Sequence, residues 1–204
     1  NKEIFKHSGL NLSYIISYSA HMPFNSSKGT CSKLTNETGL TEFECLKIQA
    51  KETDDMIKLL MENLEKNGEL DNTIVVLISD HYLYTLEDKT LLDKYKETNT
   101  NLINHTPFLI WSNGQIKKTV KDVNSQLDVL PTLLNLFGVK YNAANYIGRD
   151  IFSKDYDPLV FFPDGSWYNG STYVANGEYL KGQKMSSEEI EYYNKLVKDK
   201  MNLN

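Results

Sequence analysis

The order of hydrophobic and polar residues along the chain predicts alternating strands and helices. Runs rich in apolar, β-branched or aromatic residues predict three strands, at 11–19, 73–79 and 106–111. The continuous apolar run at 73–79 is typical of a parallel strand that is buried on both faces. Apolar residues recur near every 3.6 positions at 41–67 and 126–137, which predicts two amphipathic helices. The expected class is therefore an α/β fold.

Start and stop signals support both predicted helices. Thr41 and Glu44 fit a capping box, in which the side chain of each residue accepts a hydrogen bond from the backbone of the other. Gly68 follows the first helix and Gly138 follows the second, as is common at helix ends. The stretch at 83–104 is polar and only weakly helical in pattern, so we expect it at the surface.

The pattern changes after Gly148. Short apolar and aromatic runs, separated by Asp-Gly and Asn-Gly pairs, predict an antiparallel meander. These runs are 158–162, 166–168, 171–174 and 178–180. A capping box that begins at Ser186 predicts a terminal helix. We therefore predict an α/β domain at 1–150 and a small antiparallel subdomain with a C-terminal helix at 151–204.

Composition and charge exclude several classes of protein. The 204 residues are 40% hydrophobic and 24% charged, which excludes a disordered or collagen-like chain. The net charge is −5 and Arg149 is the only arginine, so nucleic acid is not expected as a partner. The longest apolar run, 73–78, is too short to cross a bilayer, and no leader pattern opens the sequence. We expect a soluble, acidic, globular chain.

Two cysteines, Cys31 and Cys45, lie at the ends of a polar segment. A disulfide between them would lower the entropy of the unfolded chain and stabilise the fold by about 3 kcal/mol. It would also require an oxidising compartment. Two unrelated thiols are the alternative, and the sequence leaves both open.

An aspartate and a histidine, Asp80 and His81, stand side by side where the second predicted strand ends. Ligands commonly bind at the carboxyl ends of strands in open parallel sheets. A carboxylate and an imidazole suit Mn²⁺ or Zn²⁺ better than Ca²⁺, but both side chains reach one ion only if the chain turns here. Alternatively, Asp80 caps the next segment and His81 is a surface residue.

His21 is the second candidate, since it follows the first predicted strand and precedes Met22 and Pro23. The proline restricts its predecessor, so the chain leaves the strand in a defined direction. A histidine placed there can donate a hydrogen bond to a phosphate or sulfate oxygen; an ordinary loop histidine is the alternative. No nucleophile is evident, because the sequence has no Gly-x-Ser-x-Gly turn, glycine-rich phosphate loop or His-Glu-x-x-His motif.

Four segments, taken in order, resemble motifs of the alkaline-phosphatase/sulfatase superfamily. Residues 19–24 (SAHMPF) resemble an NHxPF motif, and 75–82 (VVLISDHY) resemble a strand that ends in DHY or DHG. Residues 106–111 (TPFLIW) resemble a TPFIIW strand. Residues 125–138 resemble a helix that begins QIDIAPTIL, with a G-x-D-L-F-like motif at 148–152. The most similar branch is the bacterial lipoteichoic acid synthase family of phosphoglycerol transferases.

The resemblance implies a sulfatase-like α/β fold, with 1–150 as the C-terminal part of the sulfatase-like domain. It also implies roles for three residues. Asp80 and His81 would bind a divalent cation, with Mn²⁺ expected, and His21 would bind the substrate. The implied reaction moves glycerol phosphate from phosphatidylglycerol, or another anionic glycerophospholipid, to a growing teichoic acid polymer through a phosphothreonine intermediate. The implied parent is a bacterial cell-membrane enzyme with an extracellular catalytic domain, which agrees with a possible Cys31–Cys45 disulfide.

In that family, the nucleophilic threonine and a metal-binding glutamate lie well upstream of the first motif, which begins here at Ser19. We therefore expect that the chain is a C-terminal fragment without a catalytic nucleophile, inactive alone and prone to self-associate through exposed apolar surface. Two alternatives stay open. A sulfatase or phosphodiesterase of the same superfamily would share the metal pair, and a non-catalytic, cell-surface glycan-binding module would not need it.

Overall fold

The computed structural model describes Gly9 and residues 11–203, and the chain divides into two compact units. The first unit ends at Lys117. Each unit has its own helices and its own antiparallel sheet, which confirms the α/β class. The predicted division into 1–150 and 151–204 stays a prediction. Among the described helices, none combines the length and the apolar composition that a membrane span requires.

Two helices form the scaffold of the first unit. The short α1 (Cys31–Leu34) precedes the long α2 (Glu42–Lys66). The predicted capping box is present, because Thr41 Oγ1 accepts the Glu44 N–H and the Glu44 carboxylate accepts the Thr41 N–H. The carboxylate also accepts the Thr41 hydroxyl, and these two hydrogen bonds from Thr41 lower the pKa of Glu44. Both predicted ends of this helix are therefore confirmed.

A disulfide and a small apolar core hold α1 against α2. Cys31 and Cys45 are bonded to each other and fully buried, so the disulfide is the correct alternative. Three further buried side chains surround them: Phe24, Leu86 and Leu92. Leu92 belongs to α3 (Thr90–Tyr95). The prediction that 83–104 lies at the surface is therefore wrong for Leu86 and Leu92, because these side chains complete the core around the disulfide.

Within the described residues, the sheet of the first unit has two strands, β1 (Ile74–Ile78) and β2 (Phe108–Ser112). Each is preceded by a short 3-10 helix, Leu70–Asn72 and Asn101–Asn104 respectively. The strands pair antiparallel with Ile78 opposite Phe108, so the prediction of a parallel strand is wrong. β1 is also not buried on both faces, since Ile78 is 46% exposed. The pairing brings the loop after β1 and the loop before β2 to the same end of the sheet.

The segment at 11–19, which the sequence predicts as a strand, does not form one. Its apolar side chains are exposed instead, with values between 69% and 88% for Leu12, Tyr14, Ile16 and Tyr18. A strand needs a neighbouring backbone as hydrogen-bond partner. No strand within 11–203 pairs with this segment, which explains the wrong prediction. Self-association through such a surface stays a prediction.

The second unit combines two helices with a four-stranded sheet. α4 (Gln126–Leu136) begins with a capping box formed by Ser125 and Asp128. The meander is antiparallel in the order β3–β4–β5–β6, as predicted. Its strands are β3 (Val160–Phe161), β4 (Trp167–Tyr168), β5 (Thr172–Ala175) and β6 (Glu178–Gly182). α5 (Ser187–Met201) follows with its predicted cap, and it contributes to a core of Trp167, Val174 and Val197.

The chain beyond α4 is fixed to the first turns of that helix. The Asp128 carboxylate, which is buried, accepts the backbone N–H groups of Ser125 at 2.8 Å and of Arg149 at 2.7 Å. The Thr132 hydroxyl accepts the Ile151 N–H at 3.1 Å. The only arginine of the chain therefore contributes its backbone amide to this contact. The Arg149 and Ile151 amides together give hydrogen-bond partners to the buried Asp128 carboxylate and Thr132 hydroxyl of α4.

Candidate functional site

The chain bends directly after β1, where Asp80 and His81 are located. Asp80 Oδ1 accepts a hydrogen bond from the His81 backbone N–H at 2.9 Å. Consecutive side chains of an extended strand point to opposite sides, whereas the bend brings these two together. His81 Nε2 lies 3.4 Å from Asp80 Oδ2. The turn that a shared ion would require is therefore present.

Hydrogen bonding determines which nitrogen of the His81 ring is available to a ligand. Nδ1 lies 2.7 Å from the Tyr82 carbonyl oxygen, which only accepts hydrogen bonds, so Nδ1 carries the proton. In the neutral imidazole the lone pair is then on Nε2, the nitrogen nearest the Asp80 carboxylate. The Asp80 side chain is 86% exposed and the His81 side chain 42%. A cation from solvent can therefore reach both donor atoms.

The types of donor atom in this pair fit a divalent cation such as Mn²⁺ or Zn²⁺. Both ions accept carboxylate oxygen and imidazole nitrogen as ligands, and a backbone carbonyl on the second ring nitrogen is common behind a ligating histidine. Catalytic zinc sites normally use three protein ligands. Over the part of the chain that the structure describes, no group of three or more His, Cys, Asp or Glu side chains could hold an ion. Asp80 and His81 alone therefore form an incomplete site.

Two tyrosines contact His81: Tyr82, the last residue of the predicted DHY motif, and Tyr84, which the sequence analysis did not single out. The Tyr84 ring meets the imidazole edge-on, with ring centroids 4.7 Å apart, and its centroid is 6.2 Å from that of Tyr82. The Tyr82 carbonyl accepts the Tyr84 N–H at 2.8 Å as well as the His81 Nδ1–H. These contacts restrict rotation of the imidazole. They depend on the tight turn after His81, for which the sequence has no glycine or proline signal.

His21 lies in the loop before α1, and it is exposed. Its Nδ1 is 2.9 Å from the Met22 carbonyl oxygen, so Nδ1 carries the proton here too. The Tyr18 ring stacks on the imidazole, with centroids 5.0 Å apart and ring planes within 8°. Nε2 is then an acceptor in the neutral ring and a donor only in the protonated ring. Donation from Nε2 to a phosphate oxygen, as predicted for His21, therefore requires the imidazolium form.

A buried glutamine of α2 fixes the loop that carries His21. Gln49 is fully buried, and its Nε2 donates to the carbonyl oxygens of Ser19 at 2.9 Å and of His21 at 2.7 Å. Sequence reasoning missed Gln49, whose one signal is a polar residue on the inner side of an amphipathic helix. The structure thus brings Asp80 and His81 into contact with each other, whereas His21 is positioned by α2.

Replacing Gln49 with alanine is expected to destabilise the first unit by about 2 kcal/mol, because two carbonyl oxygens lose their donor and a cavity remains. A urea titration would measure the free energy of unfolding, and hydrogen exchange should show faster exchange of the His21 amide. Glu52→Ala, at an exposed position of the same helix, is the matched control. Equal losses for both variants would contradict a specific role of Gln49.

Comparison with known proteins identifies the family. Residues 6–139 match the family described as sulfatase, and this match covers more than half of the 204 residues. The chain belongs to the sulfatase family. His21, Asp80 and His81 all lie inside the matched residues. Enzymes of the sulfatase superfamily typically use a divalent metal.

Relatives of this sulfatase-family chain include lipoteichoic acid synthases of Staphylococcus aureus, among them those of strains USA300 and N315. They are 26% identical over 173 residues, which is 81% of this chain and 26% of each relative. The chain thus spans about a quarter of the length of these relatives. The predicted resemblance to lipoteichoic acid synthases is confirmed.

A solved structure supports the fold. The crystal structure of the lipoteichoic acid synthase LtaP from Listeria monocytogenes matches with a TM-score of 0.69 and 20% sequence identity. The match covers 91% of this chain and 52% of that chain. The predicted sulfatase-like α/β fold is therefore confirmed.

Proposed function

We propose that this chain is part of a metal-dependent phosphoglycerol transferase of the bacterial cell surface. The enzyme would take glycerol phosphate from phosphatidylglycerol, or from another anionic glycerophospholipid, and add it to a growing teichoic acid polymer. One observation carries the proposal: the Asp80 carboxylate and His81 Nε2 converge to 3.4 Å where β1 ends. The similarity to lipoteichoic acid synthases supports the choice of donor and acceptor.

Asp80 and His81 would hold the metal, for which Mn²⁺ is the expected ion. When bound, the ion would supply positive charge next to the phosphoryl group that is transferred. The residues of this chain orient the two donor atoms: the Tyr82 carbonyl selects the tautomer of His81, and the Tyr84 ring restricts its rotation. Further ligands and the nucleophilic threonine would come from the remainder of a longer enzyme. The share of its relatives' length that the chain spans supports this division.

His21 would bind the phosphate of the lipid head group. In the protonated ring, Nε2–H would donate a charge-assisted hydrogen bond to a phosphate oxygen. The Met22 carbonyl at Nδ1 and the Tyr18 ring on one face hold the imidazole in a fixed orientation. Gln49 holds the backbone of the same residue, so the ring is presented from a fixed loop.

The parent enzyme would be anchored in the cell membrane, with these residues outside the cell. The Cys31–Cys45 disulfide supports an oxidising, extracellular compartment. Both proposed substrates, an anionic glycerophospholipid and a cell-surface polymer, are accessible on that side of the membrane.

The proposal is tested by substrate discrimination with the longer, detergent-purified enzyme in Mn²⁺. Three donors are compared: phosphatidylglycerol with a labelled head group, an aryl phosphodiester and an aryl sulfate. We expect release of diacylglycerol with transfer of the label to an acceptor, and loss of this activity after chelation of the metal. Readdition of Mn²⁺ should restore it.

Other outcomes would replace the proposal. Hydrolysis of the aryl sulfate or aryl phosphodiester without turnover of the phospholipid would identify a sulfatase or a phosphodiesterase. Binding of teichoic acid or glycan that is unaffected by chelation, with no turnover of any donor, would identify a non-catalytic binding module.

A further inference from the structure

Lys96 is a half-buried lysine directly after α3, and its ammonium group donates hydrogen bonds to two backbone carbonyl groups. Nζ donates to the Ile103 carbonyl at 2.9 Å and to the His105 carbonyl. It also lies 5.8 Å from the centroid of the Tyr82 ring, within the range of a cation–π contact. Partial burial lowers the pKa of Lys96, which is the expected effect of removing an ammonium from water.

These contacts link two loops that meet at one end of the sheet. Ile78, the last residue of β1, pairs with Phe108, the first residue of β2. The loop after β1 carries Asp80 and His81. The carbonyl groups that Lys96 binds belong to Ile103, in the 3-10 helix before β2, and to His105, in the loop that joins this helix to β2. Lys96 therefore connects the metal-pair loop to the loop that enters the neighbouring strand.

The contact on the metal-pair side is with the residue that orients His81. The Tyr82 carbonyl accepts the His81 Nδ1–H at 2.7 Å, and this bond places the lone pair on Nε2. The ring of the same tyrosine faces the Lys96 ammonium. The Tyr82 ring also lies against the Tyr84 ring, with centroids 6.2 Å apart, and the Tyr84 ring meets the His81 imidazole edge-on. The Tyr84 N–H bonds to the Tyr82 carbonyl at 2.8 Å, so displacement of Tyr82 would disturb both contacts that orient His81.

We propose that Lys96 is a positioning residue for the Asp80–His81 pair, which keeps His81 in the Nδ1–H tautomer by fixing Tyr82 against the loop before β2. The role toward a metal rests on the proposed function, whereas the effect on the His81 tautomer does not. Lys96 does not touch His81 and is not a catalytic residue. An arginine has a similar reach and carries several N–H donors on a cationic group, so it is expected to preserve much of this effect.

The first test uses the metal-free 204-residue chain labelled with ¹⁵N-histidine, and the signals of His81 are assigned by their loss in His81→Gln. The imidazole ¹⁵N shifts report the tautomer directly. We expect Nδ1–H in the wild type, a mixture of tautomers in Lys96→Met, and mostly Nδ1–H in Lys96→Arg. Lys94→Met is the matched control, because Lys94 is an exposed lysine of α3 whose ammonium lies 5.5 Å from the Tyr95 ring.

The second measurement is the Mn²⁺ affinity of the same variants. Loss of support behind a ligating histidine typically weakens metal binding by roughly 10-fold to 100-fold, and we expect the lower end for Lys96→Met and no change for Lys94→Met. A folded Lys96→Met protein with the wild-type tautomer would overturn the proposal. If Lys96→Met does not fold, Tyr82→Leu removes the ring and keeps the lysine; an unchanged tautomer there would overturn it equally.

The two proposals fail in different ways. A wild-type chain that binds no Mn²⁺ but shows a Lys96-dependent tautomer would contradict the metal role of Asp80 and His81 while supporting the positioning role. If the wild-type chain binds Mn²⁺, and if neither this affinity nor the His81 tautomer depends on Lys96, the metal role is supported and the positioning role is contradicted.

Discussion

Alanine at Asp80 or at His81 is expected to lower the affinity of the chain for Mn²⁺ by about 100-fold or more, and to abolish transfer by the longer enzyme. The pair supplies two donor atoms, so each substitution removes half of the ligands that these residues offer. Loss of a contact that merely supports a ligand typically lowers metal affinity by about 10-fold to 100-fold, and loss of a ligand is expected to cost more. Mn²⁺ binding is measured by calorimetry or by the electron paramagnetic resonance signal of the free ion.

Matched substitutions separate ligand loss from general damage. Asp80→Asn keeps an oxygen that can accept the His81 N–H but loses the negative charge, so it should preserve the bend and still bind Mn²⁺ poorly. Asp54→Ala removes an exposed carboxylate elsewhere in the first unit. If this control lowers the affinity as much as Asp80→Ala, the assignment of the pair as metal ligands is wrong.

Alanine at Gly148 is expected to destabilise the second unit by about 3 kcal/mol, the largest structural effect that we predict for one methyl group. A Cβ at this position would overlap the Leu127 carbonyl and lie 2.7 Å from the Asp128 backbone nitrogen. Both are backbone atoms of the helix start, so neither can rotate away. Relief of the overlap would pull the Arg149 N–H from the Asp128 carboxylate, to which it is bonded at 2.7 Å.

Gly165→Ala is the control for this effect. Gly165 has a φ of +79°, and a Cβ there meets nothing within 4 Å, so only the backbone conformation is penalised, by about 1 kcal/mol. Denaturant titrations that follow far-ultraviolet circular dichroism give the free energy of unfolding of both variants. An equal loss in the two would show that the close approach of Gly148 to α4 does not matter for stability.

Local signals account for what the sequence predicted correctly. The capping boxes that begin at Thr41 and Ser186 depend on residues three positions apart, and both form as predicted. The meander follows from Asp-Gly and Asn-Gly turns, which join neighbouring strands. In each case the residues that determine the structure are close in the sequence.

Pairing between distant segments accounts for the errors. The position of β1 was predicted from its own apolar residues, but its antiparallel partner β2 lies beyond α3, and the apolar run itself does not encode strand direction. The segment at 11–19 has the composition of a strand, yet no described strand lies beside it to accept its hydrogen bonds. Composition therefore predicted strand preference at both places and strand pairing at neither.

The same distinction applies to the candidate site. Asp80 and His81 were found because they are adjacent in the sequence and follow an apolar run. Their contact and the tautomer of His81 required the bend and the Tyr82 carbonyl, which only the structure provides. Gln49 binds a loop 28 residues earlier in the sequence, and Lys96 reaches Ile103 and Tyr82 from a segment without a regular pattern, so no motif contained either residue.

The Cys31–Cys45 disulfide determines the buffer in which metal binding by this protein is measured. A thiol reductant would open it, cost about 3 kcal/mol of stability and release two thiols. Thiolates are strong ligands for zinc, so a titration in dithiothreitol would count a site that the oxidised protein does not have. Protein exported to the periplasm of the expression host, and kept free of reductant, is therefore the material in which metal binding by Asp80 and His81 can be measured.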